Sequence, residues 1–243
     1  MKSQVNKTGM SKKDWKSVLE KLITPIPKNE IKDLPPYCLG TKEVVIVDKN
    51  SLKSILEGLN SEKILGFDTE TRPAFTRGES YPISLVQIST IKTCYLFHSK
   101  NIGSFDCLKK VLESKTIIKV GMGLSDDFNR LKMKHSINLG CTVDVDKWFK
   151  KLGKKHQLGA KQFIANVLQL NLQKSSNAST SNWSQLPMRK GQIKYAAEDA
   201  AAPLDAFMHL ISTFSLYRKY IPNWLLSELI KLRLISTDPK NSK

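Results

Sequence analysis

Short apolar runs alternate along the chain with segments in which apolar residues recur at helical spacing. The runs are typical of buried strands, and the recurring pattern is typical of amphipathic helices. Strands come first and then alternate with helices, which predicts an α/β domain with a mixed sheet covered by helices. The predicted strands are Glu43–Asp48, Ile64–Thr71, Ile83–Ser89, Cys94–His98 and Thr116–Val120. The predicted helices are Ser11–Ile23, Leu52–Leu59, Ser104–Glu113, Leu124–Lys134, Gln157–Leu170, Gly191–Ile211 and Trp224–Ile235.

The strand Ile64–Thr71 is followed by two strands that the short turn Thr90–Lys92 joins as a hairpin, so we expect these three to be antiparallel neighbours in the sheet. The segment Asn171–Asn182 is rich in Ser and Asn and is predicted to be a mobile loop. Four prolines interrupt the pattern before Glu43, which separates an N-terminal segment from the rest.

Two acids lie at the end of the apolar strand Ile64–Thr71. Asp68 and Glu70 are separated by one residue, and because side chains alternate between the faces of a strand, both point the same way. Neighbouring carboxylates repel each other and are costly to bury unless a cation lies between them. The pair therefore indicates either a divalent metal site with oxygen ligands, for Mg²⁺ or Mn²⁺, or a strand end that reaches solvent.

A third acid falls on the apolar face of a predicted helix. Leu124, Phe128 and Leu131 recur at the spacing of one buried face. Asp127 lies within that face, whereas Asp126 points roughly the opposite way, towards solvent. An acid on an apolar face is unexpected unless it is paired or binds a metal, so we interpret Asp127 as a functional residue.

The longest predicted helix carries the last pair of polar residues. Tyr195 and Asp199 are one helical turn apart and share a face, while Glu198 is rotated away and is expected to be exposed. The alanines around them would let the helix approach another element closely. By itself this pair indicates either a core tyrosine beside a surface aspartate or part of a site.

The acidic residues of the two predicted helices and of the strand together favour a metal site. If they converge with no basic residue among them, about two divalent ions would be needed to neutralise them. Two such ions about 3.5–4 Å apart are the known arrangement for in-line displacement at phosphorus. The four carboxylates are those of Asp68, Glu70, Asp127 and Asp199.

The overall charge favours a polyanionic partner. The formal net charge is +17 with a pI near 9.7, which points first to nucleic acid and second to an acidic membrane surface. The alternative is a charge excess that serves only solubility. The four cysteines are widely spaced and do not form a zinc or disulfide pattern, and no apolar run is long enough to span a bilayer.

At these residues the sequence resembles the DEDDy class of 3′–5′ exonucleases, and within the RNase D-like group it is most similar to the Werner-type exonuclease domains. Three motifs occur in the family's order, and further matching stretches lie between and beside them. The motifs are Phe67–Glu70, Gly121–Asp127 and Tyr195–Asp199, and the further stretches are Ser84–Ile88, Cys94–His98 and Ser181–Ser184.

The resemblance implies a ribonuclease H-like α/β fold: a mixed β-sheet flanked by helices. It implies an exonuclease domain over residues 42–215, preceded by a basic N-terminal extension over 1–41 and followed by a C-terminal helical tail over 216–243. It also implies metal ligands at Asp68, Glu70, Asp127 and Asp199. The Tyr subclass applies because position 195 is Tyr and position 194 is Lys. Arg72 and Arg77 depart from the more apolar stretch expected after the first motif.

The implied reaction is hydrolysis of the terminal phosphodiester with two Mg²⁺ or Mn²⁺ ions, releasing nucleoside 5′-monophosphates. DNA with a free 3′ end is the expected substrate. The alternatives are an RNase D-like exoribonuclease that processes RNA 3′ ends and, more remotely, a non-catalytic nucleic-acid-binding module. A phenol with a pKa near 10 is a poor base at neutral pH, so Tyr195 is expected to orient the attacking water.

Several further residues are predicted to contact the substrate. The backbone near Thr69 and Glu70 would hold the terminal sugar, and Leu85 would either pack against the terminal base or belong to the core. Trp183 would be either a stacking platform or a buried structural residue. The remaining contacts, to the phosphate backbone, are assigned to Arg72, Arg77 and the basic segment Lys147–Lys161, which includes Lys154 and Lys155.

The expected location is the nucleus, with the mitochondrion as the alternative. A helicase or repair protein acting in trans is a further expected partner, since no helicase motif fits in 243 residues beside this domain. No membrane association is expected.

Overall fold

The computed structural model describes residues 10–76, 78–154 and 159–237. A six-stranded mixed sheet flanked by helices forms its centre, which confirms the predicted fold class. The strands are β1 (Glu43–Ile46), β2 (Ile64–Thr71), β3 (Ile83–Ser89), β4 (Thr93–His98), β5 (Ile118–Gly121) and β6 (Thr142–Asp144). The helices are α1 (Lys12–Ile23), α2 (Lys28–Asp33), α3 (Leu52–Asn60), α4 (Ser99–Ile102), α5 (Lys109–Leu112), α6 (Ser125–His135), α7 (Val145–Lys151), α8 (Ala160–Leu168), α9 (Ser176–Ser179), α10 (Lys190–Leu216) and α11 (Asn223–Lys231), and a 3₁₀ turn spans Phe105–Leu108.

The strand order across the sheet is β1-β4-β3-β2-β5-β6. Strands β2, β3 and β4 are antiparallel neighbours, as predicted, and β1, β5 and β6 join them in parallel pairs. In the register of β2 and β3, Asp68 lies opposite Gln87 and Glu70 lies opposite Leu85. The register shifts between Glu70 and Thr71, so the regular pairing of β2 changes just after the two acids.

Most of the predicted elements are present, and the differences are local. The helix predicted over 104–113 is a 3₁₀ turn followed by α5, and α8 is shorter than the helix predicted over 157–170. Strand β6 was not predicted because three residues are too few to show a period. The segment predicted as a mobile loop over 171–182 contains the short helix α9 and a bridge between Asn171 and Pro36.

Helix α10 crosses the sheet at β2, and a glycine permits the contact. A Cβ atom at Gly66 would overlap the backbone carbonyl oxygen of Ala200 and would lie 3.0 Å from the Cβ of Leu204. Ala197, Ala200 and Ala201 on α10 are fully buried. Small residues on both elements therefore bring the helix backbone against the strand that carries the first two acids.

The residues before β1 that the structure describes pack against the rest of the domain. Trp15 of α1 is 5% exposed, and its ring contacts the rings of Phe214 and Tyr217, with centroids 6.2 and 5.7 Å away. The Asn166 side-chain amide donates hydrogen bonds to the carbonyls of Lys21, Leu22 and Thr24 as α1 ends. Within residues 10–76, 78–154 and 159–237, no helix is long and apolar enough to cross a membrane.

Candidate active site

Three carboxylates meet where α10 crosses β2. Asp68 and Glu70 project from the same face of the strand, and Asp199 approaches them from the helix. One ligand oxygen from each of the three lies within 4.8 Å of the others. Asp199 is buried, while Asp68 and Glu70 are half-buried. Strand alternation and the close approach at Gly66 thus assemble a compact set of oxygen ligands.

Asp127 is tied to this group through the strand. The Thr69 hydroxyl donates a short hydrogen bond to Asp127 Oδ1, which connects the first turn of α6 to β2. The charge of Asp127 also contributes to raising the pKa of Asp68. The predicted solvent-facing position of Asp126 is confirmed, but Phe128 is 36% exposed and does not belong to a buried stripe. Leu124 and Leu131 on the same helix face are buried, so two of the three predicted apolar positions are confirmed, and the hydrogen bond from Thr69 holds the Asp127 carboxylate beside β2.

The crowded carboxylates have raised pKa values. Burial is the main cause for Asp68, and the charges of Asp127, Asp199 and Glu70 add to it. Burial, and then the charge of Asp199, raises the pKa of Glu70 to about 8. Burial also raises the pKa of Asp199, although Lys174 and Tyr195 oppose that rise. A set of clustered oxygen donors whose charges repel one another suits hard divalent cations such as Mg²⁺ or Mn²⁺.

Tyr195 lies one helical turn before Asp199, close enough for its hydroxyl to interact with the Asp199 carboxylate. Burial, and then the charges of Asp199 and Glu70, raises the pKa of Tyr195 well above its ordinary value. The phenol therefore keeps its proton at neutral pH. It can donate and accept hydrogen bonds, and it is unsuited to remove a proton from water.

Trp183 and Leu85 form the wall behind Tyr195. Both side chains are fully buried, in one cluster with Leu96, Met188 and Ala196. The Trp183 and Tyr195 ring centroids are 5.9 Å apart. Of the two interpretations of Trp183, its complete burial supports a structural residue and not a stacking platform. Of the two readings of Leu85, the core reading fits its burial.

Two of the remaining predicted positions, Lys154 and Glu198, differ from the structure. Lys154 is only 7% exposed, and burial lowers its pKa to about 8, so it does not lie on an open basic surface. Glu198 was expected to be exposed but is buried, with the Lys194 amine 3.7 Å away. The guanidinium of Arg72 lies over the Tyr81 ring, 4.7 Å from its centroid. Arg77 and Lys155 lie outside the described residues.

The sequence pattern does not mark Lys174 or two further acids near the site. The Lys174 amine is 2.7 Å from Asp199 Oδ1, so the condition that no basic residue lies among the carboxylates is not met. Asp146 lines the same cavity, of about 180 Å³, as Asp68 and Asp199, and it forms an ion pair with Lys150. Asp144 Oδ1 accepts a hydrogen bond from the Gly123 backbone N–H and so braces the turn before α6. No local periodicity predicts a functional role for these residues. The only signal is that Asp144 follows the β-branched residues Thr142 and Val143, which is typical of a strand end.

Known proteins resemble this chain over the region that contains these residues. A family model described as 3′–5′ exonuclease matches residues 44–212. The bifunctional 3′–5′ exonuclease/ATP-dependent helicase WRN of Mus musculus is 31% identical over 155 residues, covering 63% of this chain and 11% of that protein. Ribonuclease D of Pseudomonas paraeruginosa is 26% identical over 205 residues, covering 81% of this chain and 51% of that protein.

Solved structures give the same picture of the fold. The Aedes aegypti Nibbler EXO domain superposes with a TM-score of 0.67 at 22% identity, over 77% of this chain and 95% of that domain. This likeness agrees with the ribonuclease H-like fold expected from the sequence. The chain spans between 11% and 66% of the length of the first three curated relatives that it matches.

Proposed function

Because the chain belongs to the 3′–5′ exonuclease family, we propose that it hydrolyses the terminal phosphodiester at the 3′ end of DNA and releases nucleoside 5′-monophosphates. The observation that carries the proposal is the meeting of Asp68, Glu70 and Asp199, with ligand oxygens within 4.8 Å. Their pKa values are raised, and a divalent cation would relieve that repulsion. The remaining site residues, Asp127 and Tyr195, lie directly beside this cluster.

The proposed cofactors are two Mg²⁺ or Mn²⁺ ions, with Asp68 as the residue that contacts both. Asp199 and Glu70 would complete the ligand set, and Asp127 would act through water because Mg²⁺ keeps part of its hydration shell. Bound there, the ions would acidify the attacking water and stabilise the departing 3′-oxygen.

The chain's own groups have distinct tasks in this proposal. The Tyr195 hydroxyl, which keeps its proton, orients the attacking water by hydrogen bonding and does not remove its proton. Trp183 and Leu85 are buried side chains that pack in the same cluster as Tyr195 and support its position. The Thr69 hydroxyl holds Asp127 in place, and the adjacent β2 backbone is the proposed contact of the terminal sugar.

The net charge of +17 supports a polyanionic substrate. We propose that Arg72, on the loop after β2, contacts the phosphate backbone of that substrate. DNA is proposed because of the likeness to the mouse exonuclease/helicase, and a helicase acting in trans is proposed for the same reason. A nuclear location belongs to this proposal, with the mitochondrion as the alternative. The likeness to ribonuclease D supports the second candidate function, trimming of RNA 3′ ends.

The test is a degradation assay on matched DNA and RNA oligonucleotides, each single-stranded or with a recessed 3′ end, in Mg²⁺ or Mn²⁺. We expect shortening from the 3′ end, faster on DNA, and release of 5′-monophosphates. Asp68→Ala should abolish the activity while the far-ultraviolet circular dichroism spectrum stays unchanged. Degradation of RNA alone would reverse the substrate preference. Near-wild-type activity in Asp68→Ala would overturn the site, and binding without hydrolysis would favour the non-catalytic module.

A further inference from the structure

Lys174 is a positive charge inserted beside the acidic cluster. It lies between α8 and α9, and its amine is 2.7 Å from Asp199 Oδ1 and 5.4 Å from the centroid of the Tyr195 ring. The side chain remains 36% exposed, so its stem borders solvent while its amine reaches the buried carboxylate.

Two adjoining spaces share this lysine. One is the cavity of about 180 Å³ that contains Asp68 and Asp199. The other is a groove of about 390 Å³ lined by Tyr195, Lys161 and Lys194. Lys174 therefore stands at the boundary between the carboxylates and a groove whose other lysines suit a polyanion.

The Lys174 amine already binds the Asp199 carboxylate, which is also one of the three candidate metal ligands. A divalent ion would take Asp199 as a ligand at about 2.0–2.6 Å. An ammonium group bonded to that carboxylate would then face strong repulsion from the ion at short range. Metal binding at Asp199 would therefore favour moving the amine away, and a protonated amine at the edge of a buried site would then need another acceptor.

The acceptor that such a site supplies is the phosphate that undergoes hydrolysis. We propose that Lys174 is a catalytic residue, whose amine exchanges the Asp199 carboxylate for a non-bridging oxygen of the scissile phosphate when metal and substrate bind. From there it stabilises the negative charge that grows on the phosphoryl oxygens as water attacks. A lysine ammonium has three donors and a flexible stem, which suits this exchange. This inference rests on the proposed function.

The test compares the full-length wild-type chain with Lys174→Met and Lys174→Arg. Mn²⁺ affinity is measured by calorimetry without substrate, and kcat and KM are measured on a single-stranded oligonucleotide. We expect Lys174→Met to bind Mn²⁺ at least as tightly as the wild type, because the competing amine is gone. Its kcat should fall by about 100-fold or more with a smaller change in KM. Lys174→Arg should recover part of the kcat. Lys190→Met, on an exposed position of α10, is the matched control and should change neither quantity.

The paired measurement separates the proposal from its rivals. A lysine that only held Asp199 in place would give weaker Mn²⁺ binding and a lower melting temperature in Lys174→Met, and that result would overturn the proposal. An unchanged kcat in Lys174→Met would overturn it as well. A wild-type chain that hydrolyses none of the oligonucleotides would instead overturn the proposed function and, with it, the phosphate contact.

Discussion

The backbone carbonyl oxygen of Ala200 on α10 lies so close to the point that a Cβ atom at Gly66 on β2 would occupy that the two atoms would overlap. This contact lets the helix lie directly on the strand, and Asp199, the neighbour of Ala200, thereby comes within reach of Asp68. The acidic site thus depends on a position that carries no side chain at all.

Gly66→Ala should lower the free energy of unfolding by about 1–3 kcal/mol, because the added methyl group pushes α10 away from β2. The same shift should reduce exonuclease activity by moving Asp199. Urea denaturation measures the first effect. The control is Gly58→Ala on α3, where a Cβ meets nothing within 4 Å and where alanine favours the helix by about 0.5–1 kcal/mol. Equal effects of the two substitutions would contradict the close contact.

Asp127→Asn should lower kcat by about 10- to 100-fold, since in the proposed site Asp127 would reach the metal through water. Asp126→Asn, at the adjacent exposed position, is the matched control and should leave activity within about twofold of the wild type. Both variants should keep the wild-type melting temperature to within a few degrees. If the control lost as much activity as Asp127→Asn, the assignment of the two aspartates would have to be exchanged.

Metal affinity should rise with pH until about 8. The pKa of Glu70 is raised from its ordinary value of 4.5 to about 8, so the metal-free protein holds a proton there at neutral pH that a metal must displace. For the same reason, the contribution of Glu70 to the stability of the metal-free fold is favourable at low pH and is lost as pH rises towards about 8.

Calorimetric titration with Mn²⁺ between about pH 6 and 8, in buffers of different ionisation enthalpy, measures both the affinity and the protons released. In Glu70→Gln the dependence on pH should become shallower. A Mn²⁺ affinity that stayed constant over this range would show that the carboxylates are already ionised in the metal-free protein.

Lys119→Met should destabilise the fold by about 1–3 kcal/mol, because buried carbonyl oxygens would lose their donor. The Lys119 side chain is fully buried on β5, and its amine donates to the carbonyls of Val111, Ser114 and Ile117. Lys115→Met, at an exposed position on the same turn, is the control and should be close to neutral. A neutral Lys119→Met would mean that these carbonyls find other partners.

Phe75→Ala should weaken binding of single-stranded DNA by about tenfold, since one stacked base contributes about 1–3 kcal/mol. Phe75 is 86% exposed on the loop that follows β2, near Arg72. The control is Ile91→Ala, also an exposed apolar residue, in the turn at the other end of β3. Fluorescence anisotropy with Ca²⁺ in place of Mg²⁺ measures binding, and equal losses in both variants would argue against stacking.

Strand alternation and helical spacing are enough to predict which faces carry the acids of the site. Strand alternation put Asp68 and Glu70 on one face, and helical spacing put Tyr195 and Asp199 on another. The helical spacing also places Asp127 between the buried Leu124 and Leu131, although Phe128 is exposed, and the hydrogen bond from Thr69 is a contact that the spacing does not predict.

The sequence alone determined what depends on backbone period: most of the strands and helices, their order, and the faces that carry Asp68, Glu70 and the Tyr195–Asp199 pair. Only the tertiary structure decided that Lys174 enters the cluster, that Trp183, Lys154 and Glu198 are buried, and that Asp146 lines the same cavity. These positions depend on contacts between segments far apart in the chain, such as α10 against β2 and the α8–α9 connection against α10. The spacing of apolar and polar residues within one helix or strand does not predict such contacts, because they depend on how different elements pack against each other.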